Sequence, residues 1–466
     1  MNLNEYRVNT AFDLEQEAVP KYQAIASELA LTIRNGQLAA GEKLPPHRVL
    51  AHRLGVTTGT VSRAYASLER LGLATARVGD GTYVRNLDTD TDAATASPQS
   101  APIDLAHNVA IPTDEVQALR LVFTQLGQNP ERLAEVLRYQ PETGAKRHRA
   151  AGAHWLRRFG TPGAANRVLV THGAQHALAG VLRTIARPGD TLLAESLSYP
   201  GMLALARSLR LQVIGLEMDE DGLLPDALDR AAQTFNTKLL FCAPTLHNPT
   251  ASTMSMARRD AIAAVIRRRG MLLMEDVVHA AILDKPPAAI STLVPGQSFL
   301  MASMSKVMAP GLRVGYLEAS PEWLDKVAAS IRTDCWMVAP LMPEIVTHWL
   351  ESGEAQRLID LQRERIDERL ALARSALAGI EFRWSHHHPH LWLPLPDPWR
   401  VGPFAATLRQ AGVLVRTADQ FAAGRTPSPN AVRISLNTAS SVEQLSRGLQ
   451  IMVSVLNNPP ATITDA

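Results

Sequence analysis

Five short apolar runs decide most of what this chain can fold into: Val168-Leu169-Val170, Leu192-Leu193-Ala194, Val213-Ile214-Gly215, Leu239-Leu240-Phe241 and Met271-Leu272-Leu273-Met274. Each is nearly continuous rather than alternating, as a strand buried on both faces must be. Helical spacing fills several of the gaps, for example Ala174 to Ala186 and Arg258 to Arg269. Such alternation predicts an α/β fold with a largely parallel sheet, helices on both sides, and ligands gathered at the strand carboxyl ends. From about Cys335 a long helical region leads to strands at Leu391-Trp392-Leu393 and Val432-Arg433-Ile434, which reads as a smaller C-terminal lobe.

Chemistry clusters at the expected strand ends. Lys306 follows the apolar run Phe299-Leu300-Met301, with Ser303 and Ser305 before it and Pro310-Gly311 and Arg313 after it. A lysine there can form an imine with an aldehyde cofactor while the hydroxyls and the guanidinium hold that cofactor's phosphate. A plain surface lysine is the bland alternative. In Thr171-His172-Gly173-Ala174-Gln175, small residues open a helix, where free backbone N–H groups suit a phosphate. Asp276 closes another apolar run and needs a cationic partner, either a protonated pyridine nitrogen or a protein arginine.

The N-terminal part is organised differently. Tyr22, Ile25, Ala26, Leu29 and Ile33 fall at helical spacing after Pro20; a second helix is expected from Pro46 to Leu54, ended by Gly55. Thr57 suits an N-cap for a third, with Val61, Tyr65, Leu68 and Leu71 as its inner stripe. Leu73 to Arg77, Gly79-Asp80-Gly81 and Thr82-Tyr83-Val84 then read as strand, tight turn and strand. Three helices and a hairpin make a winged helix-turn-helix. The whole chain is nearly neutral, with 47 basic and 45 acidic residues, but eight basic residues face three acidic ones between Arg34 and Arg85. That local excess points to a polyanion partner, which for a winged helix-turn-helix is double-stranded DNA. Arg48 and Arg63 can clamp phosphates, Thr57, Thr58 and Thr60 can face base edges, and the small wing tip at Gly81 can approach the minor groove. A protein-interaction module is the alternative. Asp88 to Pro102 holds almost no large apolar side chain and reads as a linker.

Two resemblances sharpen these expectations. Gly41-Glu42-Lys43-Leu44-Pro45, Arg48, Thr60-Val61, Arg63-Ala64-Tyr65 and Gly79-x-Gly81-Thr82 resemble the DNA-binding module of the GntR regulators. This chain departs from that pattern at Pro46-His47 and at Thr58, where relatives often carry Ser-Ser and an arginine. Ser-x-Ser-Lys with Pro-Gly-x-Arg resembles the lysine segment of the fold-type-I pyridoxal 5'-phosphate enzymes, the aminotransferase superfamily. That resemblance implies Lys306 as the Schiff-base lysine, Asp276 as the pyridinium partner, Asn248 as donor to the phenolic oxygen, and Tyr199 stacked on the ring. It implies a phosphate held by Ser303, Ser305, Arg313 and the Gly173-Ala174 amides, Tyr139 reaching a partner subunit of a homodimer, and Arg433 forking a substrate carboxylate. His279 stands where the pattern has tyrosine; an imidazole can still donate to the phenolic oxygen but ordinarily titrates near neutrality.

Together the two parts resemble the MocR subgroup of GntR regulators. The expected organisation is a winged helix-turn-helix over residues 18–86, a flexible linker over 87–103 and an aminotransferase-like domain over 104–460, with a large lobe at about 135–330 and a small lobe at about 331–460. The expected function is a transcriptional regulator that senses an amine or amino acid as an external aldimine; the alternative is a working aminotransferase with an accessory DNA-binding module. Two cysteines exclude a disulfide framework, the polar start from Met1 to Glu17 carries no secretory pattern, and no apolar run is long enough for a membrane span, so a cytoplasmic protein is expected. His386-His387-His388 with His390 invites a metal reading, but neighbours on an extended chain point apart, and no metal is expected.

Overall fold

The computed structural model describes residues 20–35, 37–38, 41–77, 81–85 and 102–459. The wing turn expected at Gly79-Asp80 and nearly all of the expected linker lie outside the described residues.

Helices α1 (Lys21–Arg34), α2 (His47–Leu54) and α3 (Thr58–Arg70) are followed by antiparallel strands β1 (Ala74–Arg77) and β2 (Gly81–Val84). Their core is Ile25, Leu29, Leu50, Val61, Tyr65 and Leu68, all essentially without solvent contact. Gly55 ends α2 in the left-handed region at φ 62°, and Thr57 caps α3 by accepting the Thr60 N–H at 3.2 Å. The inner stripe differs from expectation at one place. Leu71 is 49% exposed because α3 ends at Arg70; the chain turns through Gly72, and Leu73 enters the core instead.

The larger part is built on a seven-stranded sheet. In chain order its strands are β3 (Val168–Thr171), β4 (Thr191–Glu195), β5 (Gln212–Leu216), β6 (Leu239–Cys242), β7 (Leu272–Asp276), β8 (Ser298–Ser303) and β9 (Gly315–Ala319). In space the order is β3-β9-β8-β7-β6-β4-β5, and only β9 runs antiparallel to the rest. Strands β3, β6 and β8 are buried throughout, which explains their unbroken apolar character. Helix α4 (Ala174–Ile185) follows β3, α5 (Pro200–Ser208) follows β4, and α6 (Met256–Arg269) follows β6. The helix Pro321–Cys335 packs Leu324, Val327 and Ile331 against the same sheet.

A second antiparallel sheet contains β10 (His390–Pro394), β11 (Arg416–Thr417) and β12 (Ala431–Ser435) in the order β10-β12-β11. The long helix Glu354–Ala376 and the C-terminal helix Val442–Asn457 cover it through Leu370, Ala373, Leu445 and Leu449. Residues Ile103–Asp104 join this lobe by pairing in parallel with Val413–Leu414, so the lobe is assembled from distant stretches of chain. Among the described residues no helix is long and apolar enough to cross a membrane.

Candidate functional site

A cavity of about 510 Å³ opens at the carboxyl ends of the large sheet and is closed on one side by the small lobe. Strand topology explains the place: β3, β4, β6, β7 and β8 all end there, and their connections carry the polar groups. Tyr199, Asn248, Asp276, His279, Lys306 and Arg433 line it together. Ala174, Ser303, Ser305 and Arg313 line its other end.

That second end is a donor cradle. Arg313 sits in the left-handed region at φ 51°, which turns its guanidinium back to donate to Ser305 Oγ at 3.3 Å and to the His172 carbonyl at 3.2 Å. Ser303 Oγ donates to Ser305 Oγ at 3.1 Å. Gly173, at φ +80°, immediately precedes α4, and a Cβ there would sit 3.1 Å from the Arg313 guanidinium. Backbone amides at the helix start, two hydroxyls and one cation thus converge, as a phosphate requires.

The opposite end is acidic. The pleat separates Glu275 from Asp276. Glu275 points away and accepts from the Ile290 N–H at 2.9 Å, the Ser291 N–H at 2.7 Å and Ser291 Oγ at 2.6 Å, with the buried Arg259 guanidinium 4.0 Å away. The arginine partner considered for Asp276 therefore belongs to its neighbour. Asp276 faces the cavity and accepts one backbone N–H, from Val278 at 2.8 Å. Burial pushes its pKa up to about 6, against the pull of that bond and of Lys306. A carboxylate held this way favours a cationic neighbour.

Between the two ends, Lys306 Nζ donates to the Asn108 carbonyl. Asn108 was not singled out in the sequence: it lies in a stretch without a motif, and nothing local marks it. Its own Oδ1 is buried with no hydrogen-bond partner among the described residues. Arg433 Nη1 donates to Asn248 Oδ1 at 2.9 Å, which leaves the Asn248 amide nitrogen for another acceptor, and Arg433 Nη2 donates to the Ala106 carbonyl. Tyr199 packs its ring over Gly201, where a Cβ would come within 2.4 Å of it.

His279 corrects an expectation. It does not titrate near neutrality: burial, followed by His388, Lys306, Arg433 and His247, holds its pKa well below the ordinary value, so the ring is neutral. The histidines of 388 and 390 stand beside it, with ring centroids 5.6 and 5.7 Å from His279. As second neighbours they share one side of the chain, which bends at Pro389 before β10 begins, and their centroids are 3.9 Å from each other. Among the described residues no group of His, Cys, Asp and Glu has metal-binding geometry. Tyr139 is outside this cavity. It is 83% exposed and rests edge-on against Trp336, with centroids 6.3 Å apart.

On the N-terminal module, Arg48, Thr57, Thr58, Arg63 and Gly81 are exposed and Thr60 is half-buried, so the groups named for DNA lie on an open surface. Thr57 and Thr60 are partly engaged with each other, Oγ1 to Oγ1 at 2.9 Å. The His47 departure has a structural reason: its ring packs edge-on against Tyr65 at 4.8 Å, and its Nδ1 lies 3.0 Å from Ser62 Oγ. It braces α2 on α3.

The residues in the cavity fit pyridoxal 5'-phosphate: a phosphate cradle, an amine, and a carboxylate short of a cation occupy one space. Residues 111–451 match the family described as aminotransferase class I and II, and residues 21–84 match the bacterial regulatory proteins of the gntR family. The HTH-type transcriptional regulator YdeF of Bacillus subtilis is 28% identical, over 98% of this chain and 99% of its own length. The vitamin B6 salvage pathway transcriptional repressor PtsJ of Salmonella typhimurium is 26% identical, over 90% of this chain and 95% of its own. Among solved structures, an archaeal alanine:glyoxylate aminotransferase superposes with a TM-score of 0.70 at 22% identity, covering 76% of this chain and 91% of that one. The α-aminoadipate aminotransferase LysN of Thermus thermophilus gives 0.69 at 21% identity, covering 76% and 92%.

Proposed function

We propose that this chain, which belongs to the aminotransferase class I and II family and carries an N-terminal gntR-family domain, is a MocR-type transcriptional regulator whose pyridoxal phosphate site serves as a sensor for an amine or amino acid. The supporting observation is one cavity in which Lys306 lies between the Asp276 carboxylate and the Ser303-Ser305-Arg313 cradle, in a chain whose α3 leaves Thr58 and Arg63 exposed.

When bound, pyridoxal phosphate supplies an electrophilic aldehyde carbon and an electron-accepting ring. Ser303, Ser305, Arg313 and the first amides of α4 hold its phosphate. Asp276 keeps a proton on the ring nitrogen, where the ion pair relieves the cost of its burial. Asn248 would offer its amide nitrogen to the phenolic oxygen, the neutral His279 of the same cavity could support it, and Tyr199 would cover the ring and exclude water. An amino-acid effector would bring its own amine into the cavity beside Lys306, so that with the cofactor bound the two amines would be alternative partners for it. Arg433 takes its carboxylate by exchanging the Asn248 and Ala106 oxygens for a bidentate charged partner. The small lobe, which carries Arg433 on β12, then moves with the effector, and the DNA-binding module with the lobe. Tyr139, Leu137 and Trp336 form an exposed apolar surface suited to a second copy of the chain, which would give a homodimer with paired DNA-binding modules.

Purified protein with pyridoxal phosphate should show a visible absorption band that an amino-acid effector shifts. Lys306→Ala should remove the ordinary band while the fold, read by circular dichroism, is unchanged. Identical spectra for the two proteins would sink the cofactor assignment. Sustained turnover with an amino donor and a keto acid would favour a working aminotransferase instead.

A further inference from the structure

A second cavity, of about 450 Å³, lies where the DNA-binding module meets the larger domain. Its apolar floor is Leu203 of α5, Leu211, and Val213 and Ile214 of the edge strand β5. Its charged wall is Arg70 and Arg85 from the module and Arg207 and Arg425 from the larger domain, with Glu69 as the one lining carboxylate.

These charges are unevenly satisfied. Arg85 is buried and donates to the Asp419 and Ala422 carbonyls at 2.9 and 2.6 Å, which docks the module. Arg425 faces Glu69 at 3.4 Å across the cleft. Arg70 is exposed and donates to Ser67 Oγ at 2.9 Å. Arg207 is half-buried and has no hydrogen-bond or ion-pair partner among the described residues. Its side chain lies across Gly72 at the end of α3, where a Cβ would come within 2.2 Å of its Cδ. Burial depresses its pKa, and its charge helps to lower that of Arg85 to about 10. A guanidinium partly withdrawn from water without a partner, beside a second one, is an unfavourable arrangement that an oxyanion would reverse. A bare ion would leave the apolar floor wet, whereas a ligand with an apolar body covers it.

We propose that this cleft is a second ligand site, distinct from the cofactor cavity, for a small organic anion that places a carboxylate or phosphate on Arg207 and Arg85 and an apolar body on Leu203 and Ile214. An occupant touches both the DNA-binding module and the larger domain, so it bears on how firmly they dock. The site does not depend on the sensor chemistry at Lys306.

The test titrates the full-length protein, saturated with pyridoxal phosphate, with phenyl phosphate, benzoate and inorganic phosphate by calorimetry, while the cofactor absorption is recorded. Phenyl phosphate or benzoate should bind more tightly than inorganic phosphate, the stronger of the two aromatic probes identifying the preferred head group. The absorption should stay constant. Arg207→Gln should weaken that binding about tenfold or more, and Arg207→Lys, which keeps the charge without the fork, should fall between. Arg207→Lys also carries the test should the glutamine variant be unstable. The proposal is overturned by absence of binding, by equal affinity in the Arg207 variants, by equal affinity for inorganic phosphate, or by displacement of the cofactor.

Discussion

Asp276 is half-buried at the cavity wall with one backbone partner, and that imbalance makes its state depend on what occupies the cavity. Its pKa in the folded chain is about 6, above the 3.8 of an exposed aspartate. The folded state therefore binds more protons than the unfolded one between those values, and this group's contribution to stability falls as pH rises through the window. In cofactor-free protein, Asp276→Asn should remove that loss and raise stability above pH 6 by about 3 kcal/mol, read as the difference between two denaturation curves. With the cofactor bound the order should reverse, because the carboxylate then has its cation. A variant no more stable than the parent in the cofactor-free form would show that Asp276 already has a partner. The adjacent Glu275 shows what a sequence can and cannot convey here. The apolar run into Glu275-Asp276 marks a strand end with acid groups. Which of the two faces the ligand depends on the pleat and on Ser291, sixteen residues away. His279 is similar: its departure from tyrosine is visible, but its neutrality comes first from burial and then from His388, Lys306, Arg433 and His247, brought up by other elements.

At the scale of elements, α3 presents Arg63 on an exposed face while Val61, Ala64, Tyr65 and Leu68 hold the opposite face in the core. Phosphate contact by Arg63 predicts a specific salt response. Arg63→Gln should reduce the slope of log affinity against log salt by about 0.9 per module engaged on DNA, with weaker binding across sequences rather than altered preference. An unchanged slope would mean that Arg63 does not contact phosphate. The elements themselves were largely legible: the caps of α2 and α3, the buried strands and their helices follow from local chemistry. What local chemistry does not carry is their order in space. That β9 runs antiparallel between β3 and β8 depends on pairing across 140-odd residues, and Leu71 keeps the helical spacing yet lies outside the core because periodicity does not mark where a helix stops.

Across the whole molecule, the cofactor cavity and the DNA-binding module share one segment, Asp419 to Ala422. On one side, the Phe421 ring lies 5.1 Å from the Arg433 guanidinium, and the Phe421 carbonyl accepts the Ser198 N–H at 2.7 Å, next to Tyr199. On the other, the Asp419 and Ala422 carbonyls accept both bonds from Arg85 at the end of the wing. These contacts join residues more than 330 positions apart, beyond anything that spacing in the sequence reveals. In the proposed sensor they would make a short physical route from the Lys306 cavity to the N-terminal module. A carboxylate drawing Arg433 away from Asn248 would disturb the packing on Phe421 and so the carbonyls that anchor the wing. Arg85→Met removes the anchor but not the sensor. The variant should keep the cofactor band and its shift with effector, while the effector-dependent change in DNA affinity shrinks by on the order of 1 kcal/mol. Loss of the spectral response would place Arg85 in the fold of the sensor itself, and an undiminished change in DNA affinity would show that the signal reaches the module by another route.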